Sequence, residues 1–301
     1  MPINLAQIRN ELLPGLRGIT GMYPQIPTQW SKVFDTGTSK MSVERTSEMR
    51  FFGLARRKAE GQATHFDNES GDRFVYNQKH QAIALGYAIT REAIADNLYK
   101  SEFPRATKAL MNSHAQTKEI LGADVLNTAF VYNPEVGGDG VSLCNTAHPI
   151  DGGSYANRPA IDVEMNEAAL ENAQTQIRYF RDQAGLRMMA RGPMLVVPPQ
   201  LEYVAKRLLE TDLRPGTADN DINAVKSKFE KGYLVMDFLT SPTAWFIKTT
   251  IEGLLYLDRE SFDTDMYVDS TGTQNLLTTT YERYSFSYND PRALWGSNPT
   301  V

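Results

Sequence analysis

The chain has 301 residues and a net charge of −5, from 31 Lys and Arg against 36 Asp and Glu. That balance argues against a protein whose main task is gripping nucleic-acid phosphates, which needs a basic surplus. With 41% hydrophobic and 10% aromatic residues it can bury a sizeable core, in one large domain or two ordinary ones.

The N-terminus lacks both a basic region and an apolar core of the kind a secretory signal carries, and no apolar run is long enough to cross a membrane. No signal and no membrane are expected. In residues 1–40, Leu12-Leu13-Pro14-Gly15-Leu16 and Tyr23-Pro24-Gln25-Ile26-Pro27 alternate apolar residues with breakers, which argues against a long helix or a central strand. Yet Ile19, Met22, Tyr23, Ile26 and Trp30 are too apolar for a disordered tail. The segment is expected to be an extended arm whose anchors Tyr23, Ile26 and Trp30 lie on the chain's own core or on a neighbouring subunit.

Residues 41–90 read as strands. A short apolar run, Met49 to Leu54, precedes Arg56-Arg57-Lys58 and the turn-rich Asp67-Asn68-Glu69-Ser70-Gly71-Asp72. The chain returns through Phe74-Val75-Tyr76 to Ile83, Leu85, Tyr87 and Ile89, which alternate with Ala82, Ala84, Gly86 and Ala88. This is the outline of a long hairpin with a charged tip. A solvated loop is one account of it. The other is an arm over a neighbour, with Arg56, Arg57, Lys58, Asp67, Glu69, Asp72 and Arg73 as contact residues.

Thr90 caps a short helix, Arg91 to Tyr99. From Ser101, taken as N-cap with Pro104 in the first turn, to Phe130 the chain predicts one amphipathic helix of roughly 40 Å. Its stripe of Phe103, Ala106, Leu110, Thr117, Leu121 and Val125 is thin, with His114, Thr117 and Asp124 on or near it. Such a helix suits a spine along which other elements lie, with an ordinary core helix as the alternative. Pro134, Gly137-Gly138-Asp139-Gly140, Gly152-Gly153-Ser154 and Pro159 then mark a boundary near residues 132–160.

Beyond it, Asn166 caps a helix lined by Leu170, Ala173, Ile177 and Phe180, with Gly185 as C′ residue. Met194-Leu195-Val196-Val197 reads as a buried strand, and Pro199 starts a helix faced by Leu201, Val204, Leu208 and Leu209. A polar loop over 213–221 and strands Tyr233–Phe238 and Ala244–Thr249 complete an α+β unit. Leu254–Leu257 is a strand, and Leu276–Tyr288 a long one with Tyr284, Phe286 and Tyr288 on one face, expected to lie along the spine helix.

Catalytic patterns are sparse. The only cysteine, Cys144, leaves no internal disulfide to form and suits a reducing cytosol. With His148 it makes an i, i+4 pair that could serve as nucleophile and base or as metal ligands, yet no second pair completes a zinc site. A plain loop is the simpler account, and a Cys/His hydrolase the rival one. His65, His80 and His114 share no carboxylate pattern and read as surface or packed residues. Asp219-Asn220-Asp221 resembles part of a calcium loop with its Gly and Glu misplaced, and capping of a helix at Ile222 explains it better. No nucleotide, nucleophile-elbow or zincin motif occurs, so no enzyme activity, metal or cofactor is expected.

Five segments, in order, carry a resemblance: Tyr87-Ala88-Ile89-Thr90-Arg91-Glu92, Leu143-Cys144-Asn145-Thr146-Ala147-His148-Pro149, Leu195-Val196-Val197-Pro198-Pro199-Gln200-Leu201, Arg214-Pro215-Gly216-Thr217-Ala218-Asp219-Asn220-Asp221-Ile222-Asn223 and Tyr281-Glu282-Arg283-Tyr284-Ser285-Phe286. With them the chain resembles the major capsid proteins of tailed bacteriophages, the α+β fold first seen in phage Hong Kong 97, and looks most like the Mu-like major head subunits. The resemblance implies an N-terminal arm (1–45), an extended loop (46–90), a peripheral domain on the spine helix (91–140 with 250–301) and an axial domain (141–249). It further implies pentamers and hexamers of an icosahedral virion shell around double-stranded DNA, made in the bacterial cytoplasm, with portal, scaffolding or decoration proteins as partners and only weak contact with DNA. A loop carrying Arg214, Pro215, Asp219, Asn220 and Asp221 would sit near the pentamer and hexamer axes. A nanocompartment shell of the same fold is the nearest alternative. Some relatives cross-link subunits through Lys and Asn; Lys58 and Lys79 lie in the loop, but no pattern marks an Asn partner, and no cross-link is expected.

Overall fold

The chain runs α1 (Leu5–Thr20), β1 (Asp35–Thr38), β2 (Val43–Arg50), β3 (Gly71–Lys79), β4 (Gln81–Ile89), α2 (Arg91–Ala95), α3 (Tyr99–Asn127), β5 (His148–Ile150), β6 (Gly153–Tyr155), α4 (Glu167–Arg178), β7 (Met194–Val197), α5 (Glu202–Glu210), β8 (Tyr233–Val235), β9 (Trp245–Lys248), β10 (Leu254–Val268), β11 (Leu276–Tyr288) and β12 (Leu294–Ser297). The computed structural model describes residues 5–67, 71–95, 99–212, 222–269 and 275–299.

The spine is α3, 29 residues and about 43 Å long. It starts two residues before Ser101, so Ser101 is not its cap, and Pro104 lies inside it. A proline there forgoes one backbone bond, which the rest of so long a helix sustains. Against it lies a sheet of order β1-β10-β11-β4, in which β1 runs parallel to β10 and the other pairs are antiparallel. The strand over Leu276–Tyr288 forms as the alternation predicts. Its neighbour β10 is far longer than the predicted Leu254–Leu257 because polar residues continue it: Asp263, Thr264 and Asp265 pair with β11.

The second sheet, β12-β9-β7-β8, has β7 and β8 parallel across the α5 connection. Every residue of β7, β9 and β12 is buried, as expected where both faces of a sheet are covered. Residues of α4, α5 and this sheet share one core cluster, in which Trp245 and Trp295 meet at 4.8 Å. The last strand, β12, joins β9 rather than the long strands beside the spine. Asn166 caps α4 as expected, its side chain accepting from the Ala169 N–H. Gly185 does not end that helix, which stops at Arg178; its positive φ of 82° serves a turn between the bridged Arg181 and Arg187.

Two expectations about the N-terminal half are corrected. The segment read as an extended arm begins with α1, sixteen residues with Pro14 inside. An interior proline costs about 3 kcal/mol. Tertiary packing overrides it: Leu16 is fully buried with Phe103, Met266 and Leu276. Of the apolar run Met49–Leu54, only Met49 and Arg50 belong to a strand. The β2–β3 ladder ends at Arg50↔Gly71, and Phe51, Phe52 and Leu54 lie beyond it. A two-stranded ribbon has no layer to bury them.

Candidate assembly surfaces

A polar seam fastens the arm to the spine and the sheet. On α3, Thr107, His114, Lys118 and Glu119 are all buried, and each has a partner. The Tyr87 and Thr107 hydroxyls lie 2.9 Å apart. Glu282 of β11 is the hub: His114 Nδ1 stands 2.8 Å from one carboxylate oxygen, Lys118 Nζ 2.7 Å from the other, and the Tyr23 hydroxyl donates at 3.3 Å. His114 Nε2 meets Thr280 Oγ1 at 2.8 Å. Burial alone would raise the Glu282 carboxyl, but hydrogen bonds from His114 and Lys118 outweigh it and hold it below its usual value. Glu119 accepts the backbone N–H of Gln29 at 2.6 Å and of Trp30 at 3.1 Å. Burial raises its carboxyl above the usual value against those bonds.

Two of the three arm anchors therefore serve their own chain. Trp30 is buried against Tyr256 and Phe286, with ring centroids at 4.3 and 5.3 Å, and Tyr23 stacks on Phe262 at 4.4 Å. Of the two supports the sequence left open for these rings, the chain's own body receives both within the subunit. Ile26 is half-buried and lines a cavity beside them.

The hairpin is clamped at its base. Arg292, 2% exposed, pairs with Glu48 of β2 and lies 3.0 Å from Asp290. Arg50 pairs with Asp151, of the β5–β6 turn, at 2.8 Å, and Arg73 reaches the same carboxylate at 3.4 Å. Asp67 accepts the Gly53 N–H at 2.7 Å and closes the neck of the loop. Asp67 and Arg73, expected at a subunit contact, are thus engaged within the chain, where the neck has to be closed and oriented. Asp72 is exposed, and Glu69 lies outside the described residues.

Past the neck the tip is apolar and basic. Phe51, Phe52, Leu54 and Phe66 are 62%, 64%, 79% and 78% exposed, and Arg56, Arg57 and Lys58 are exposed beside them. Large apolar groups so grouped on a surface mark an interaction site. The charges of this tip were expected at a contact; Phe51 and Phe52 were expected within strands, and Phe66 within a polar stretch. The run Phe51-Phe52 directly before a turn-rich stretch was the available signal.

Cys144 and His148 do not form a pair. Both imidazole nitrogens are engaged, Nδ1 at 2.6 Å from Asp139 and Nε2 at 2.9 Å from Asn157, and the Asn157 amide bridges the carbonyls of Leu143, Pro291 and Leu294. Cys144 is fully buried, which pushes its thiol well above the usual range. Buried thiols of this kind are inert. Among the described residues no cluster of His, Cys, Asp and Glu could hold a metal, and no helix is long and apolar enough to cross a membrane. Arg214, Pro215, Asp219, Asn220 and Asp221 lie outside the described residues; no α-helix follows Ile222, where one was expected.

A spine helix beside long strands, a second sheet covered by helices and a protruding hairpin define a capsid-shell subunit of the Hong Kong 97-type α+β fold. Solved structures agree. The procapsid protein of bacteriophage JBD30 aligns with TM-score 0.55 at 11% identity, over 99% of this chain and 77% of that one. A virus-like particle from Pyrococcus furiosus gives 0.54 at 11%, over 94% and 97%. A phage-related protein from Bordetella bronchiseptica RB50 gives 0.54 at 13%, over 94% and 95%. No curated protein matches the chain. The profile of the phage capsid protein family matches residues 78–296, and the chain belongs to that family: it is a phage major capsid protein, a structural subunit of the virion shell.

Proposed function

We propose that the chain assembles into pentamers and hexamers that close an icosahedral head around double-stranded DNA. Its divisions would be an arm (1–45), an extended loop (46–90), a peripheral domain (91–140 with 250–301) and an axial domain (141–249), with residues 214–221 near the symmetry axes. Assembly runs on association energy rather than catalysis, many modest contacts summing through multivalency. Synthesis would be in the bacterial cytoplasm, with portal, scaffolding or decoration proteins as further partners. The net charge of −5 suits a wall that does not grip the packaged DNA.

The observation that carries this reading is the hairpin tip, whose large apolar side chains find no cover in their own subunit. Replacing residues 54–66 by a Gly-Ser linker of equal length removes Leu54, Phe66 and the basic triplet. The variant is expected to stay folded, by circular dichroism and melting, and to lose closed shells in negative-stain images. Shells of parental size and yield from it would contradict the proposal.

A further inference from the structure

Between the end of α4 and β7 the chain carries Arg178, Arg181, Arg187 and Arg191, all exposed, in a molecule whose net charge is −5. The one acid among them, Asp182, is turned into its own loop, where its carboxylate accepts the Leu186 N–H at 2.7 Å. The fold-back at Gly185 sets Arg181 opposite Arg187 in an antiparallel bridge. Like charges directly opposite one another destabilise a strand pair. Nothing local relieves this pair. The Arg181 guanidinium donates to the Gly185 carbonyl at 3.3 Å, and that of Arg187 lies 4.7 Å from the Tyr179 ring centroid. Among the described residues none of the four meets a carboxylate within ion-pair distance.

The acids at this junction are already engaged. Arg292, whose Nε donates to the Arg181 carbonyl at 2.7 Å, holds Glu48 and Asp290. Arg50 and Arg73 hold Asp151, whose N–H bonds the Gln183 carbonyl. Glu171 is exposed on α4, about two turns before Arg178. Arg178 also suits the C-terminal end of α4, where a cation complements the helix dipole. The same stretch holds Met189 at a φ of 53°, in the left-handed region. Backbone strain of this kind clusters in segments that hold ligands.

Guanidinium groups match phosphate oxygens in paired hydrogen bonds, and a duplex presents one negative charge per about 1.7 Å of its axis. We propose that this arginine cluster is a phosphate-binding site that meets the backbone of the packaged duplex, and that the α4–β7 connection therefore faces the interior of the shell. The assignment rests on the reading of the chain as a shell around DNA and adds the contact and the face that makes it. Met188 and Met189 beside the cluster would suit a protein partner. Such a partner, however, would need a carboxylate placed for each guanidinium, whereas a duplex supplies charge all along its length. Four cations per subunit make a light contact, in keeping with a wall that is acidic as a whole.

The test measures binding of the full chain, as dissociated subunit, to a short fluorescent duplex across a salt series. Each phosphate contact steepens the fall of log K with log salt by about 0.9, so Arg181→Gln with Arg187→Gln is expected to flatten the slope by about two. Arg181→Lys with Arg187→Lys keeps the charges and should keep the parental slope, which a merely structural role would not predict. Arg56→Gln with Arg57→Gln, at the hairpin tip, should leave the slope unchanged. A parental slope from the Arg181→Gln, Arg187→Gln variant would overturn the site and leave the capsid reading intact, as would a parent that closes into shells yet binds no duplex at low salt. Loss of shells from that variant with its slope unchanged would assign the cluster to a protein contact and contradict the proposal. A parent that forms no shells under any condition would remove the capsid reading and, with it, packaged DNA as the source of phosphate.

Discussion

Glu282 shows how much one buried side chain can hold. Its carboxylate meets Lys118, His114 and Tyr23, so the arm, the spine helix and β11 all meet at a group 2% exposed at its side chain. Removing one partner of a buried ion pair leaves the other charge uncompensated, at about 3–5 kcal/mol. Glu282→Gln is therefore expected to lower stability by that order in denaturant unfolding of the dissociated subunit. Adding Lys118→Met should recover part of the loss, since apolar replacement of a whole pair is often neutral. A second residue with a sharp demand is Gly138. Its φ is +87°, and an added Cβ would stand 2.2 Å from the buried ring of Tyr76. Gly138→Ala should cost about 3 kcal/mol in the same measurement, from left-handed strain and overpacking together. The run of glycines from 137 to 140 was legible as irregular connection. That it wraps a tyrosine of the hairpin was not, because Tyr76 is remote in sequence.

At the scale of elements, the seam predicts an acid response. An acid whose folded pKa is depressed stabilises the fold above its unfolded value, near 4.3 for Glu, and loses that contribution as pH falls through the folded value. Glu282 is such a group. Glu119 and Asp290 run oppositely, being raised by burial, and protonation relieves a cost there. Comparing the parent with Glu282→Gln between about pH 6 and about pH 3, the gap in melting temperature is expected to narrow toward the acid end. A constant gap would contradict the seam's electrostatic account. Local periodicity made β7, α4 and β11 legible, since each buries its pattern within one element. It failed for α1, whose Pro14 argues against the helix that Leu16 secures by packing on Phe103, Met266 and Leu276. It failed likewise for the polar half of β10, held by pairing to β11 rather than by its own side chains. The polar seam was within reach: Thr107, His114 and Lys118 recur at seven and four on the face where the apolar stripe thins.

At the scale of the molecule, two sheets and a spine present outward a hairpin that buries little of its own surface. Arg292 and Asp151 fix its base, while Phe51, Phe52, Leu54 and Phe66 remain uncovered. Such a patch marks an interaction site, and in a shell subunit the proposed cover is another copy of the chain. The family could be named from five ordered segments in the sequence. The uncovered aromatic tip could not, because its exposure depends on where the β2–β3 ladder ends, which only the fold shows. The most direct measurement is sedimentation velocity with negative-stain imaging of the chain, expressed alone and then with its neighbouring head genes. Closed shells, or rings of five and six that close as concentration rises, are the predicted result. A stable monomer that assembles in neither case would contradict the account.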